Sequence, residues 1–170
     1  RVVARHGAPD AVIHAAGRRS TSLIGAIDPA EVAEVFAPKL GILRALRQAL
    51  GPRPPQRLIV CGSAAATWGG PGLAVYAAAN AAVEAEIASW RAAGVLATCI
   101  AWGPWAGGMV DPAGGAELIR AGIHPMVPAD ALAALARGLS APVATIARVE
   151  WDRLAAGLGR RSGLFAGRGP

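Results

Sequence analysis

A short apolar run, Leu58-Ile59-Val60-Cys61, ends at Gly62-Ser63, crosses the loop Gly69-Gly70-Pro71-Gly72 and continues into an alanine-rich stretch from Ala74 to Asn80. Four apolar residues closed by turn signals predict a buried strand, and alanine is the strongest helix former, so the order is strand, loop, helix. Ser63 stands at the strand's end. Tyr76 falls in the first turns of the helix, and Asn80, four positions on, shares its face. A hydroxyl, a phenol and an amide are therefore expected to converge. Tyr76 is the chain's only tyrosine, and Lys39, upstream, its only lysine.

The flanking segments repeat the alternation. Ala11 to Ala16, closed by Gly17, predicts a parallel strand, with His14 as a satisfied core histidine before a ligand or base. Arg18 to Ile27 reads as a loop. Asp28-Pro29-Ala30-Glu31 is a helix start, with Asp28 as cap and Pro29 at the first helical position. Val32, Val35, Phe36, Leu40, Ile42 and Leu43 form an apolar stripe, and Pro38 predicts a kink before Lys39. The helix holding Tyr76 should run to about Ala93 and stop at Gly94. Leu96 to Ala101 predicts the next strand, closed by the rigid turn Trp102-Gly103-Pro104-Trp105. Gly107, Gly108, Gly114 and Gly115 bound a segment expected to be irregular. Ala116 to Ala121 and Ala129 to Leu139 predict helices, Val143 to Val149 a last strand, and Trp151 to Leu154 a helical turn. From Gly157 the glycine- and arginine-rich sequence reads as a linker, giving a domain over 1–156 and a tail over 157–170.

Strands alternating with helices predict an α/β layer around parallel strands. What is missing is a Gly-x-Gly-x-x-Gly after a first strand, or a ribose-reading residue after a second, so no pyrophosphate cradle is expected. At 170 residues the chain has room for one sizeable core, and 54% hydrophobic against 16% charged residues excludes a disordered chain. The apolar runs fall well short of a membrane span. The chain opens Arg1-Val2-Val3-Ala4-Arg5, as an excised segment would. The net charge of +6 raises the question of a nucleic-acid partner. The positive residues other than Lys39 are all arginines, scattered singly or in pairs with no interleaved aromatic stripe, so neither nucleic acid nor membrane is expected. Cys61 and Cys99 lie in separate apolar runs and read as small core residues of a reduced, cytoplasmic compartment, not as a metal site or disulfide.

Ser63, Tyr76 and Asn80 at this spacing resemble the active site of short-chain dehydrogenase/reductases. In ordinary members lysine stands four after the tyrosine; here it is asparagine, with the lysine upstream of the serine. That exchange resembles the ketoreductase domain of modular type I polyketide synthases. The segments Val12-Ile13-His14-Ala15-Ala16-Gly17, Ala37-Pro38-Lys39, Tyr76-Ala77-Ala78-Ala79-Asn80 and Ala101-Trp102-Gly103-Pro104-Trp105-Ala106-Gly107-Gly108 are similar to that family in the same order. The match runs from about Ala11 to Leu154. It implies the C-terminal part of a Rossmann-like, doubly wound parallel sheet whose first strands and Gly-rich cofactor loop lie upstream.

Carbonyl reduction needs a hydride on one face of the carbonyl and a proton for the developing alkoxide. A free phenol, with a pKa of about 10, gives up its proton poorly near neutrality unless an ammonium favours the phenolate. The resemblance makes Tyr76 the general acid, Ser63 the anchor of the carbonyl, Lys39 the activator and a ligand of the nicotinamide ribose, and Asn80 the completion of a proton relay. It places His14, Ala15, Ala16 and Gly17 beside the adenine half of NADPH, and Trp102, Gly103, Pro104 and Trp105 near its nicotinamide, with 108–121 as a substrate lid. The implied reaction is NADPH-dependent reduction of a β-ketoacyl chain on an acyl carrier protein. Implied partners are that carrier, the upstream half of the same domain and other synthase domains. Two other readings stay open: a free-standing short-chain dehydrogenase, which Asn80 disfavours, and a non-catalytic piece that folds only within a larger domain. An excised first strand would leave Ala11 to Ala16 as an apolar edge, so the 170-residue chain alone is expected to aggregate and to oxidise no NADPH; a soluble, active preparation would contradict this.

Stereochemistry is also addressed by the resemblance. One ketoreductase class carries Leu-Asp-Asp where this chain has Arg19-Ser20-Thr21, and the opposite, A-type class carries a tryptophan eight before the tyrosine, as Trp68 is here. An L-hydroxyl product is implied. Pro71 also occurs in the Leu-Asp-Asp class, but Val75 replaces its usual companion asparagine. Leu73 matches neither residue that commonly reports the α-substituent.

Overall fold

The computed structural model describes residues 5–158. Strands β1 (Ala11–His14), β2 (Arg57–Ser63) and β3 (Leu96–Trp102) run parallel. A further strand, β5 (Val143–Ile146), completes the sheet, in the order β1-β2-β3-β5, and pairs parallel with β3. This is the α/β, Rossmann-like arrangement expected. β1 is two residues shorter than predicted and forms one edge of the sheet.

Helix α1 (Pro29–Phe36) begins as the sequence foretells: the Asp28 carboxylate accepts from the Glu31 amide at 2.9 Å, a cap typically worth about 0.5–2 kcal/mol. At Pro38, where a kink is predicted, the helical path is distorted and not ended. Ala37–Gly41 forms a π-helical turn, in which the Ile42 amide reaches the Ala37 carbonyl, and α2 (Ile42–Leu50) follows. Proline has no N–H for the carbonyl four residues back, and a widened turn absorbs that loss without ending the helix. It also directs Lys39 inward, where it is 5% exposed.

Beyond β2, α3 (Ala65–Trp68) is a single helical turn before the glycine-rich loop, and α4 (Ala74–Ala92) carries Tyr76 and Asn80. Gly94, at φ +82°, ends α4 as predicted. One face of β2 and β3 meets α2 and α4 in the main core, with Leu43, Leu58, Val60, Val83, Ile87, Trp90 and Cys99 buried together. Alternation along β3 turns Thr98 and Ile100 to the other face, where the Thr98 hydroxyl donates to the Leu139 carbonyl. There α6 (Pro128–Gly138) covers them, so helices flank the sheet on both sides. Toward β1 this second face is open, and Ile13 is 66% exposed.

The C-terminal third departs most from expectation. Helix α5 (Pro112–Arg120) contains Gly114 and Gly115, which were expected in an irregular segment; the Asp111 carboxylate accepts from the Gly114 amide at 2.7 Å and Pro112 starts the helix. A cap and a well-placed proline outweigh the roughly 1 kcal/mol per glycine. The expected strand over Val143–Val149 is split into β5 and β6 (Arg148–Val149). β6 leaves the sheet and pairs antiparallel with β4 (Ile123–His124). Helix α7 (Trp151–Leu158) is longer than the predicted turn and passes the proposed boundary at residue 156. The rest of the expected tail, 159–170, lies outside the described residues. No helix among the described residues is long and apolar enough to cross a membrane.

Gly62 shows how tightly β2 and β3 are faced by their neighbours. A Cβ there would lie 2.6 Å from the Cys99 sulfur. Gly62→Ala is expected to cost about 1–3 kcal/mol from overpacking. Adding Cys99→Ala should recover much of that cost, because the sulfur occupies the space the methyl needs. Urea midpoints of the two single variants and the double test this, and strict additivity would show the account wrong.

Candidate active site

The carboxyl ends of the parallel strands open onto one cleft of about 440 Å³. In doubly wound sheets this is where ligands bind. β2 delivers Ser63 to it, α4 delivers Tyr76, and the π turn delivers Lys39. These three predicted residues line the same wall although they come from separate elements.

Their local bonds define what each can do. Ser63 Oγ accepts from the Ala65 amide at 3.2 Å, which fixes the side chain and leaves its O–H to donate elsewhere. Lys39 Nζ donates to the Cys61 carbonyl at 3.1 Å and lies 5.9 Å from the centroid of the Tyr76 ring. Burial pulls the Lys39 ammonium below its ordinary value. At Gly17 a Cβ would come within 3.0 Å of Lys39 Cε, so the bare glycine is what lets the lysine stem pass.

Asn80 does not line the cleft. It is fully buried behind Tyr76, and its Nδ2 donates back to the Tyr76 carbonyl at 2.7 Å; its Oδ1 has no hydrogen-bond partner among the described residues. A buried acceptor without a donor is costly, so this oxygen is a ready place for a water or another donor. One turn on, burial raises the Glu84 carboxyl, and with Glu84 nearby it pushes the Cys99 thiol up to about 12, which makes Cys99 inert.

The expected cofactor wall is assembled in part. Ala15, Gly17, Trp102, Gly103, Pro104 and Trp105 line the cleft, and the rings of Trp102 and Trp105 pack edge to face with centroids 5.0 Å apart. His14 and Ala16 do not line it. His14 Nε2 donates to the Lys39 carbonyl at 2.9 Å, holding the π turn from beneath; burial lowers its pKa from 6.5, against the pull of that bond. Alternation along β1 explains this, since His14 faces the helix layer. Of the residues expected to govern stereochemistry, Trp68 and Leu73 line the cleft and Pro71 does not. Arg19 lines it as well, and so do Met109, Val110, Leu118 and Ile123. The sequence signal for Met109, Val110 and Leu118 was limited to their place in the 108–121 segment expected to form a lid, and Ile123 lies beyond that segment. A second cavity, about 400 Å³ between α6 and β5, holds Asp130, Arg137 and Arg148 and none of the predicted catalytic residues.

The KR (ketoreductase) domain family model matches residues 3–107, well over half of the chain. The chain belongs to the ketoreductase domain family of modular polyketide synthases. It is 37% identical over 168 residues to erythronolide synthase EryA2 of Saccharopolyspora erythraea, covering 94% of this chain and 5% of that protein. Among solved structures it resembles an A-type ketoreductase from a modular polyketide synthase, with 29% identity and a TM-score of 0.85 over 92% of this chain and 34% of the other. It resembles a C2-type ketoreductase of the same kind of synthase at 38% identity and a TM-score of 0.75, over 88% and 33%. The ketoreductase chain therefore spans about a third of these solved relatives. Likeness to both types leaves the stereochemical type to individual residues. The family works with a nicotinamide cofactor.

Proposed function

We propose that this ketoreductase segment is the C-terminal, catalytic portion of a domain that reduces a β-ketoacyl chain on an acyl carrier protein to the β-hydroxyacyl product. The observation that carries the reading is the convergence of Ser63, Tyr76 and Lys39 on one cleft at the strand ends, with the Lys39 ammonium 5.9 Å from the Tyr76 ring. NADPH would supply the hydride. Ala15, Gly17, Lys39 and the Trp102–Trp105 turn would hold its nicotinamide end; no glycine-rich pyrophosphate loop exists in this sequence, so the other end belongs to upstream residues. The Ser63 hydroxyl donates to the substrate carbonyl and fixes it. Tyr76 gives its proton to that oxygen as negative charge develops. The Lys39 charge stabilises the phenolic oxygen as the proton leaves. Asn80, through its free Oδ1, orders the donor behind Tyr76 that returns the proton.

The open β1 edge and the exposed Ile13 favour an upstream half of the same domain as the neighbour of this sheet. NADPH oxidation by the full-length domain with a β-ketoacyl thioester tests the reaction; absence of turnover in a folded, NADPH-binding preparation would refute it.

The product is expected to be the L-hydroxyl, as in the A-type class. Trp68 lines the cleft, and Arg19 stands on its wall where the other class has Leu-Asp-Asp. The Ser22 amide donates to the Gly72 carbonyl at 3.0 Å, so the two loops that would steer the substrate are joined. Chiral chromatography of the reduced thioester decides between the classes, and a predominance of D-hydroxyl would overturn the assignment.

A further inference from the structure

We propose that Trp151, at the start of α7, is a positioning residue that sets the orientation of Trp68 at the cleft and thereby the substrate's approach. The inference rests on the reduction proposed above. Trp68 is the last residue of a four-residue helix, a length with little stability of its own. The next four residues include Gly69, Gly70 and Gly72, all at positive φ, so the backbone after Trp68 is built from its most permissive residues. What orients the indole is therefore what it packs against. Trp151 meets it edge to face, with ring centroids 6.4 Å apart and an interplanar angle of 83°. That is a favoured geometry for an aromatic pair.

Trp151 itself stands on a fixed base. The Glu150 amide donates to the Gly122 carbonyl at 2.7 Å, β4 and β6 pair beside it, the Glu150 carboxylate meets His124 and Arg153, and Leu154 is 3% exposed. Gly122 directly precedes Ile123, which lines the cleft with Leu118. The C-terminal segment thus ties the cleft residues Leu118 and Ile123 to Trp68, through a side chain that does not itself line the cleft. An indole in Trp68's place that swings freely would admit the acyl chain in more than one direction.

The test uses the full-length ketoreductase domain with a short β-ketoacyl thioester, comparing Trp68→Ala, Trp151→Leu, Trp151→Phe and Trp68→Ala/Trp151→Leu. Trp151→Leu keeps apolar packing for α7 while removing the ring. It is expected to shift the ratio of hydroxyl enantiomers and raise KM for the thioester by about 2- to 10-fold, the factor an edge-to-face pair supports. KM for NADPH should stay unchanged. The double variant should go no further than Trp68→Ala, because both act through one indole, and Trp151→Phe should restore most of the ratio. If Trp68→Ala shifts the ratio and Trp151→Leu does not, the inference is wrong and the proposed reaction stands. If Trp68→Ala leaves the ratio untouched, the inference falls with the role given to Trp68. If the unsubstituted domain does not reduce the thioester, the proposed reaction itself is refuted.

Discussion

Tyr76→Phe in the full-length ketoreductase is expected to lower turnover by about 100-fold or more, the usual loss when a general acid is removed. The substitution deletes one oxygen and keeps the ring, so the packing of Tyr76 against Val35, Val75 and Ala79 survives. The Asn80 amide still has its partner, because it bonds the residue-76 carbonyl and not the phenol. NADPH affinity should therefore hold, and the loss should appear in kcat. Steady-state kinetics with a dissociation constant for NADPH measure both, and near-normal turnover with intact binding would remove Tyr76 from the mechanism.

Trp90→Ala is expected to destabilise the domain by about 3–5 kcal/mol, as emptying a large aromatic site in a core does. Trp90 is 2% exposed in the last turns of α4, packed into the core between α2, α4 and the sheet, with the Arg47 guanidinium 4.5 Å from its ring centroid. Its indole N–H has no hydrogen-bond partner among the described residues. A buried donor without a partner costs about 1–3 kcal/mol, so Trp90→Phe recovers that cost while giving up some volume. The expected order of stability is unsubstituted, then Phe close below, then Ala far below. Urea unfolding of the full-length domain reads it, and a Phe variant as unstable as the Ala variant would show that the indole nitrogen is satisfied.

Ser63, Tyr76 and Asn80 were legible as candidates because they sit on short, regular pieces of chain. A strand of period 2 puts Ser63 at its end, and a helix of period 3.6 puts Tyr76 and Asn80 on one face. The caps at Asp28 and Gly94 were readable for the same reason, since a cap needs only its own next few residues. Asp111 carries the same signal as Asp28, yet the glycines that follow it masked the helix they belong to. Position relative to the cleft was less legible. His14 and Pro71 were expected with the site residues, but neither lines the cleft.

By itself the sequence determined the alternation of strands and helices and membership in the ketoreductase family, and it singled out Ser63, Tyr76, Lys39 and Asn80 as candidates. Hydrophobic period and residue spacing act over a few residues, and that is the range on which these features depend. Only the tertiary structure decided that the distortion at Pro38 is a π turn that carries Lys39 inward, that β6 turns away from the sheet to meet β4, that His14 supports the Lys39 turn, and that Trp151 packs on Trp68. Each of these joins segments distant in sequence, or depends on burial around a single residue. Such contacts are set by the sum of many weak packing and hydrogen-bond terms over the whole domain, which leave no periodic trace in the chain.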